Sequence, residues 1–254
     1  MPDPISNIIV CLGNSPHKGM HIMANIGIIG SGNIGAALTR LLTKAGHQVA
    51  VSNSRGPESL AALAQETGAR AASVTDVVQT STIVIVSIPL TSIPHLPANL
   101  FQQGPAGQIV IDTSNYYPQH RDGLIAEIEA GMPESAWVEK HLGRPVIKAF
   151  NSILADRLAS VGRPGTVTGR VALAVAGDDA SDKATVIALL GDIGFEGVDA
   201  GTIADSWRQQ PGTPGYLHDF EAAGVRRALA DASPVRTPEW KATPNSPGTF
   251  DAPA

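Results

Sequence analysis

Residues 25–55 read NIGIIGSGNIGAALTRLLTKAGHQVAVSNSR, and the fold is decided there. Ile26, Ile28 and Ile29 form a short apolar run, as a strand covered on both faces requires. Gly30-Ser31-Gly32-Asn33-Ile34-Gly35 follows at once and matches G-x-G-x-x-G. Beyond it, Ile34, Ala37, Leu38, Leu41, Leu42 and Ala45 recur at three- and four-residue steps, which is one face of a helix, and Gly46 is placed to end it. Residues 47–51 offer a second strand. Strand, glycine turn, helix, glycine stop and strand, in that order, are the context in which this motif signifies dinucleotide binding. The first glycine permits a tight turn, the second admits a pyrophosphate to the backbone, and the third lets helix and strand pack closely. The helix N-terminus adds unpaired N–H groups and a partial positive charge.

The end of the second strand selects between the pyridine nucleotides. An NAD site places Asp or Glu about 20 residues past the glycines, on the ribose 2′-hydroxyl. Here Asn53, Ser54 and Arg55 stand in that place, with no carboxylate before Glu58. A hydroxyl and a guanidinium suit a 2′-phosphate, which arginine grips with two parallel hydrogen bonds. NADP(H) is the expected cofactor.

The 254-residue chain carries a net charge of −5 without a basic stripe, which argues against nucleic acid and anionic membrane surfaces as partners. No apolar run approaches the roughly 18 residues of a membrane span. The single cysteine, Cys11, excludes an internal disulfide and a cysteine metal cluster, in keeping with a cytoplasmic protein. No His-Glu or Cys cluster at metal-ligand spacing occurs, so no metal site is expected.

Further apolar runs at 82–87, 108–112 and 146–150 alternate with helical stretches, among them one over 91–100 and one over 134–142. That alternation predicts an α/β fold, a Rossmann doubly wound parallel sheet. Runs at 171–176 and 195–199, with a helix over 181–190 between them, predict a small C-terminal α/β extension. The expected organisation is a dispensable leader over 1–24, an NADP-binding domain over 25–201, a helical segment and substrate-side loop over 202–232, and a flexible Pro-, Ser- and Thr-rich tail over 233–254. The last helix is expected over 216–229.

Ligands of open α/β sheets bind beyond the carboxyl ends of the strands. That rule gathers the glycine loop, Ile88 and Pro89, residues 112–117, and residues 150–153. Ile88 and Pro89 are placed to press one face of the nicotinamide, and Asn151 to hold a polar group near the ring. Tyr117 is a candidate for aromatic stacking or proton donation; no catalytic triad is visible. Lys148 is given no catalytic role, because side chains three apart along a strand face opposite ways, which separates it from Asn151. The run WRQQPGTPG at 207–215 joins an aromatic, a cation and two amides to a rigid turn, as a lid or a wall of the acceptor site would.

The set GIIGSGNIG, Ser54-Arg55, Ile88-Pro89, Gly177-Asp178-Asp179 and Asp199-Ala200-Gly201, in this order, resembles the F420H2:NADP oxidoreductase family. Its bacterial members are often labelled NADPH-dependent F420 reductases, and the NADP-binding domain of the STEAP metalloreductases is related to it. The likeness spans residues 25–201. It implies a homodimer that passes hydride between NADPH and a flavin or a deazaflavin, coenzyme F420. It also implies that Ser54 and Arg55 hold the 2′-phosphate and that Ile88 and Pro89 line the nicotinamide. Residues 149–153, Ala149 and Asn151 among them, would lie between the nicotinamide and the second ring system. The chain departs from the family at Asn151, where archaeal members carry histidine, and at WRQQPGTPG, which has no obvious counterpart in them. The open alternatives are a carbonyl, imine or quinone-like substrate, and a non-catalytic NADP(H)-binding sensor or interaction protein.

Overall fold

The structure is a computed structural model that describes residues 23–165, 168–237 and 240. Residues 1–22 of the expected leader and 241–254 of the expected tail lie outside the described residues. The chain runs β1 (Asn25–Ile29), α1 (Asn33–Lys44), β2 (Gln48–Ser52), α2 (Ala61–Thr67), β3 (Arg70–Ala71), α3 (Val74–Thr80), β4 (Ile83–Val86) and β5 (Ile109–Asp112). It continues through α4 (Ala126–Glu129), α5 (Glu134–Leu142), β6 (Ile147–Lys148), α6 (Ala155–Val161), β7 (Ala172–Val175), α7 (Ala180–Asp192), β8 (Glu196–Asp199) and α8 (Ala222–Asp231).

Six strands form one parallel sheet in the order β3-β2-β1-β4-β5-β6, the doubly wound arrangement. The two-residue period of the strands sorts their side chains into two layers. Ile26, Ile28, Ile83, Ile85 and Ile111 face Leu38 and Leu42 of α1, Leu158 of α6 and Val186 of α7. Ile29, Val84, Val86 and Val110 face Val77 and Val78 of α3 and Trp137 and Val138 of α5. β7 and β8 pair parallel as a separate ribbon, which meets the main sheet through an antiparallel bridge between Lys148 and Ala176. α8 covers that ribbon with Val225 and Leu229. Among the described residues no helix is long and apolar enough to cross a membrane.

Two helices differ from the sequence reading. The single helix expected over 91–100 is instead two 3₁₀ turns, Leu90–His95 and Leu100–Gln103. Pro97 drives Leu96 into extended backbone, at φ −63° and ψ 151°, and so interrupts the helix. The last helix begins at Ala222 rather than 216, because Leu217 takes a left-handed backbone with φ 60°. A π turn over Pro118–Asp122, and α6, are further elements that periodicity did not reveal.

Candidate functional site

The carboxyl ends of β1, β2 and β4 are laced together by backbone. The Gly30 N–H donates to Ser52 O at 2.8 Å, and the Ser87 N–H to Ile29 O at 2.8 Å. Gly30 turns with φ +113°, and a Cβ there would lie 2.0 Å from Ser87 O. A Cβ on Gly35 would lie 2.0 Å from Gly30 O, so the helix packs directly against the turn. Gly32 is different. It is exposed, its φ of −68° is open to any residue, and a Cβ there would meet nothing within 4 Å. Nothing among the described residues demands glycine at this position; a pyrophosphate resting on the backbone would. α1 begins there with no side-chain cap and no acidic residue in its first turn, so its N–H groups and positive dipole end stay available to an anion.

Asn53 joins this loop to the end of β2. Its Nδ2 donates to Ser31 Oγ at 3.0 Å and to Ser59 Oγ at 2.9 Å, while its Oδ1 accepts the Arg55 N–H at 2.9 Å. Ser54 and Arg55 are exposed beside it. The residues present therefore fit a phosphorylated dinucleotide, for which Gly30, Ser31, Gly32, Asn33, Ile34 and Gly35 would surround the pyrophosphate and Asn53, Ser54 and Arg55 would lie at the 2′-phosphate. Ile88 is half-buried and Pro89 exposed just past the end of β4, beside Ser87, whose N–H donates to Ile29 O.

Past β5 and β6 the structure places polar side chains that spacing alone did not connect. Asn151, buried, donates from Nδ2 to Asn115 Oδ1 at 3.0 Å and to Gln209 O at 2.7 Å. Its Oδ1 accepts from Gln209 Nε2 at 2.9 Å, and Asn115 Nδ2 donates to Asn151 O at 2.8 Å. Both amide hydrogens of Asn151 are thus engaged, and the side chain braces the β5 and β6 ends against the 3₁₀ turn Ile203–Gln209. Ala149 is fully buried. Phe150 carries a left-handed backbone, φ 62°, in a buried setting, a local strain that bends the chain out of β6 and aims residues 151–153.

Lys148 is a residue the sequence reading set aside. Its ammonium is fully buried, donating to Ser114 O at 3.1 Å and lying 3.4 Å from Glu134 Oε2 and 3.9 Å from Asp112 Oδ2. Asp112 accepts from the Ser114 N–H at 2.9 Å and from Ser135 Oγ at 2.6 Å. Burial pushes the Glu134 carboxyl up to about 7, against the opposing pull of the Lys148 ammonium and of the Tyr116 amide. A lysine inside the apolar run VIKAF and Asp112 at the end of another apolar run were the available signals of this cluster; Glu134 carried none.

Tyr117 and Tyr216 share a hydroxyl–hydroxyl hydrogen bond over the same strand ends. Burial raises both phenols above their ordinary range, so both stay protonated. A pocket of about 560 Å³ opens nearby, lined among others by Tyr116, Glu134, Trp207, Gln210, Gly212 and Arg236. The WRQQPGTPG run is therefore part wall and part brace: Trp207 and Gln210 line the pocket and Gln209 holds Asn151.

Comparison with known proteins agrees with this geometry. Residues 25–116 match the family model described as NADP oxidoreductase, coenzyme F420-dependent. The hypothetical protein SMa0349 of Sinorhizobium meliloti is 31% identical, with a TM-score of 0.67 over 78% of this chain and 95% of that one. A candidate F420-dependent NADP-reductase from Arthrobacter sp. FB24 shares the fold at 23% identity, with a TM-score of 0.58 over 72% of this chain and 87% of that one. Protein YjhV of Escherichia coli (strain K12) is 52% identical over 61 residues, a match spanning 24% of this chain and less than half, 44%, of that relative. With the glycine loop, the strand order and these matches in agreement, the chain belongs to the NADP oxidoreductase family described as coenzyme F420-dependent.

Proposed function

We propose that this NADP-dependent oxidoreductase transfers a hydride between NADPH and a flat flavin- or deazaflavin-like acceptor, of which coenzyme F420 is one. The observation that carries the reading is Gly32, an exposed glycine required by neither backbone nor packing, set at an uncapped helix start beside Arg55. NADPH, when bound, supplies the hydride; the acceptor takes it together with a proton from solvent, leaving NADP⁺ and the reduced acceptor. The protein's part is to position two rings, which needs no strong acid or base at the moment of transfer. Backbone N–H groups of residues 32–35 bind the pyrophosphate, and Arg55 and Ser54 the 2′-phosphate. Ile88 and Pro89 shield one face of the nicotinamide. Ala149 and Asn151 stand at its other side, Asn151 held by Gln209. Tyr117 stays protonated and walls the acceptor side.

The test is oxidation of NADPH by purified protein against FMN, FAD, coenzyme F420 and a quinone. Oxidation with at least one isoalloxazine-type ring is expected. Silence across the panel with tight NADPH binding intact would sink the flavin- and deazaflavin-acceptor reading. The same reading carries a homodimer in the cytoplasm, and light scattering in solution tests the dimer.

A further inference from the structure

The C-terminal stretch does not simply pass the strand ends. Arg236 forms an ion pair with Glu129, lies with its guanidinium carbon 4.9 Å from the Tyr116 ring centroid, and donates to the Trp240 carbonyl. The Trp240 indole rests against both paired tyrosines, 5.8 Å from the Tyr117 centroid at 44° and 5.6 Å from the Tyr216 centroid at 83°. These are the tilted and edge-on arrangements that aromatic rings favour. Gly212 backs the indole: a Cβ there would lie 2.3 Å from Trp240 Cδ1.

The position of this aromatic face matters. Tyr117 lies two residues beyond Asn115, which is bonded to Asn151, and the Leu217 N–H next to Tyr216 donates to Ser152 O at 3.0 Å. The face therefore sits over the ends of β5 and β6, where ligands of such sheets bind. Adjoining it at Arg236 and Gly212, the pocket that these and Gln210 line holds a buried donor, Gln210 Nε2, with no hydrogen-bond partner among the described residues.

We propose that the paired rings of Tyr117 and Tyr216 are the seat of a planar aromatic acceptor, and that Trp240 is its built-in competitor. The inference rests on the hydride-transfer reading and adds which surface takes the ring and what occupies that surface otherwise. Arg236, paired with Glu129 and bonded to the Trp240 carbonyl, holds the indole in place, and the acceptor ring enters as the indole leaves. A protein whose competent form is only partly populated binds its ligand more weakly by that fraction.

The test uses full-length protein saturated with NADP⁺ and titrated with FMN, followed by quenching of flavin fluorescence. Trp240→Ala is expected to tighten FMN about fivefold, the scale of one aromatic pair. Trp240→Phe, which keeps a flat ring, should stay near wild type. Adding Tyr216→Ala to Trp240→Ala should remove the gain. Unchanged or weaker FMN binding in Trp240→Ala, or no FMN binding by any variant, overturns the proposal. The hydride-transfer reading fails differently: NADPH is then not oxidised by any acceptor, whatever Trp240→Ala does to FMN binding.

Discussion

Asn53 Nδ2 donates to Ser31 Oγ at 3.0 Å, so the loop that would choose the nucleotide is tied to the loop that would hold its pyrophosphate. The two residues are 22 apart in the chain and belong to different strand ends. This bond fixes where Arg55 stands relative to the α1 N-terminus, and the first prediction follows from it.

Arg55 is exposed at that junction, free to approach a 2′-phosphate. Changing Arg55→Asp should weaken NADPH about ten- to a hundredfold more than NADH, the loss of about 1.5–3 kcal/mol of charge-assisted bonding plus added repulsion. Titration of both nucleotides checks it. Equal loss for the two would mean that the guanidinium does not read the phosphate.

Two glycines of one motif should respond in opposite ways. Gly32→Ala adds a methyl group that meets no protein atom, so stability should change by no more than about 1 kcal/mol, the range of helix N-cap exchanges, while NADPH binding falls about tenfold or more. Gly35→Ala drives a Cβ to 2.0 Å from Gly30 O, backbone against backbone, and should cost on the order of 3 kcal/mol of folding stability. Denaturant unfolding and NADPH titration of the two variants separate the effects. A Gly32→Ala protein that bound NADPH normally would contradict the placement of the pyrophosphate.

Glu134 makes the fold sensitive to alkali. Its folded-state carboxyl is raised from 4.5 to about 7 by burial, so the folded protein holds this proton more tightly than the unfolded chain does. Its contribution is full below about pH 4.5 and is lost as pH rises through about 7, by on the order of 3 kcal/mol. Glu134→Gln mimics the protonated acid at every pH. Unfolding midpoints at pH 5 and pH 8 should therefore diverge more in wild type than in the variant; parallel behaviour would show that the group titrates as in water.

Lys148→Met should be the most damaging single change in the buried cluster. It leaves Asp112 and Glu134 without the ammonium that lies 3.9 and 3.4 Å away, and removing one partner of a buried ion pair costs about 3–5 kcal/mol. Adding Asp112→Asn removes the carboxylate stranded 3.9 Å from the lost ammonium, so the double variant should recover part of the loss. Strict additivity in urea unfolding would mean the two side chains do not interact.

What was legible beforehand was local. The strand, turn and helix of residues 25–55 are written in neighbours one to four apart, so apolar period and glycine position sufficed to find β1, α1 and β2. The same reasoning reached β4, β5, β7 and α7, and through them the sheet. It failed at residues 91–100, where Pro97 set Leu96 extended against a weak helical period, and at 216–221, where Leu217 is left-handed for reasons outside its own neighbourhood.

By itself the sequence determined the class of fold, the glycine loop and the lack of a carboxylate after β2, because each depends on residues that touch within one βαβ unit. Tertiary structure alone decided the rest of the site. Tyr117 meets Tyr216 across 99 residues, Gln209 meets Asn151 across 58, and Lys148 is enclosed by carboxylates from β5 and α5. Burial and hydrogen-bond partnership are properties of packed surfaces, and no spacing along the chain encodes which two surfaces will meet.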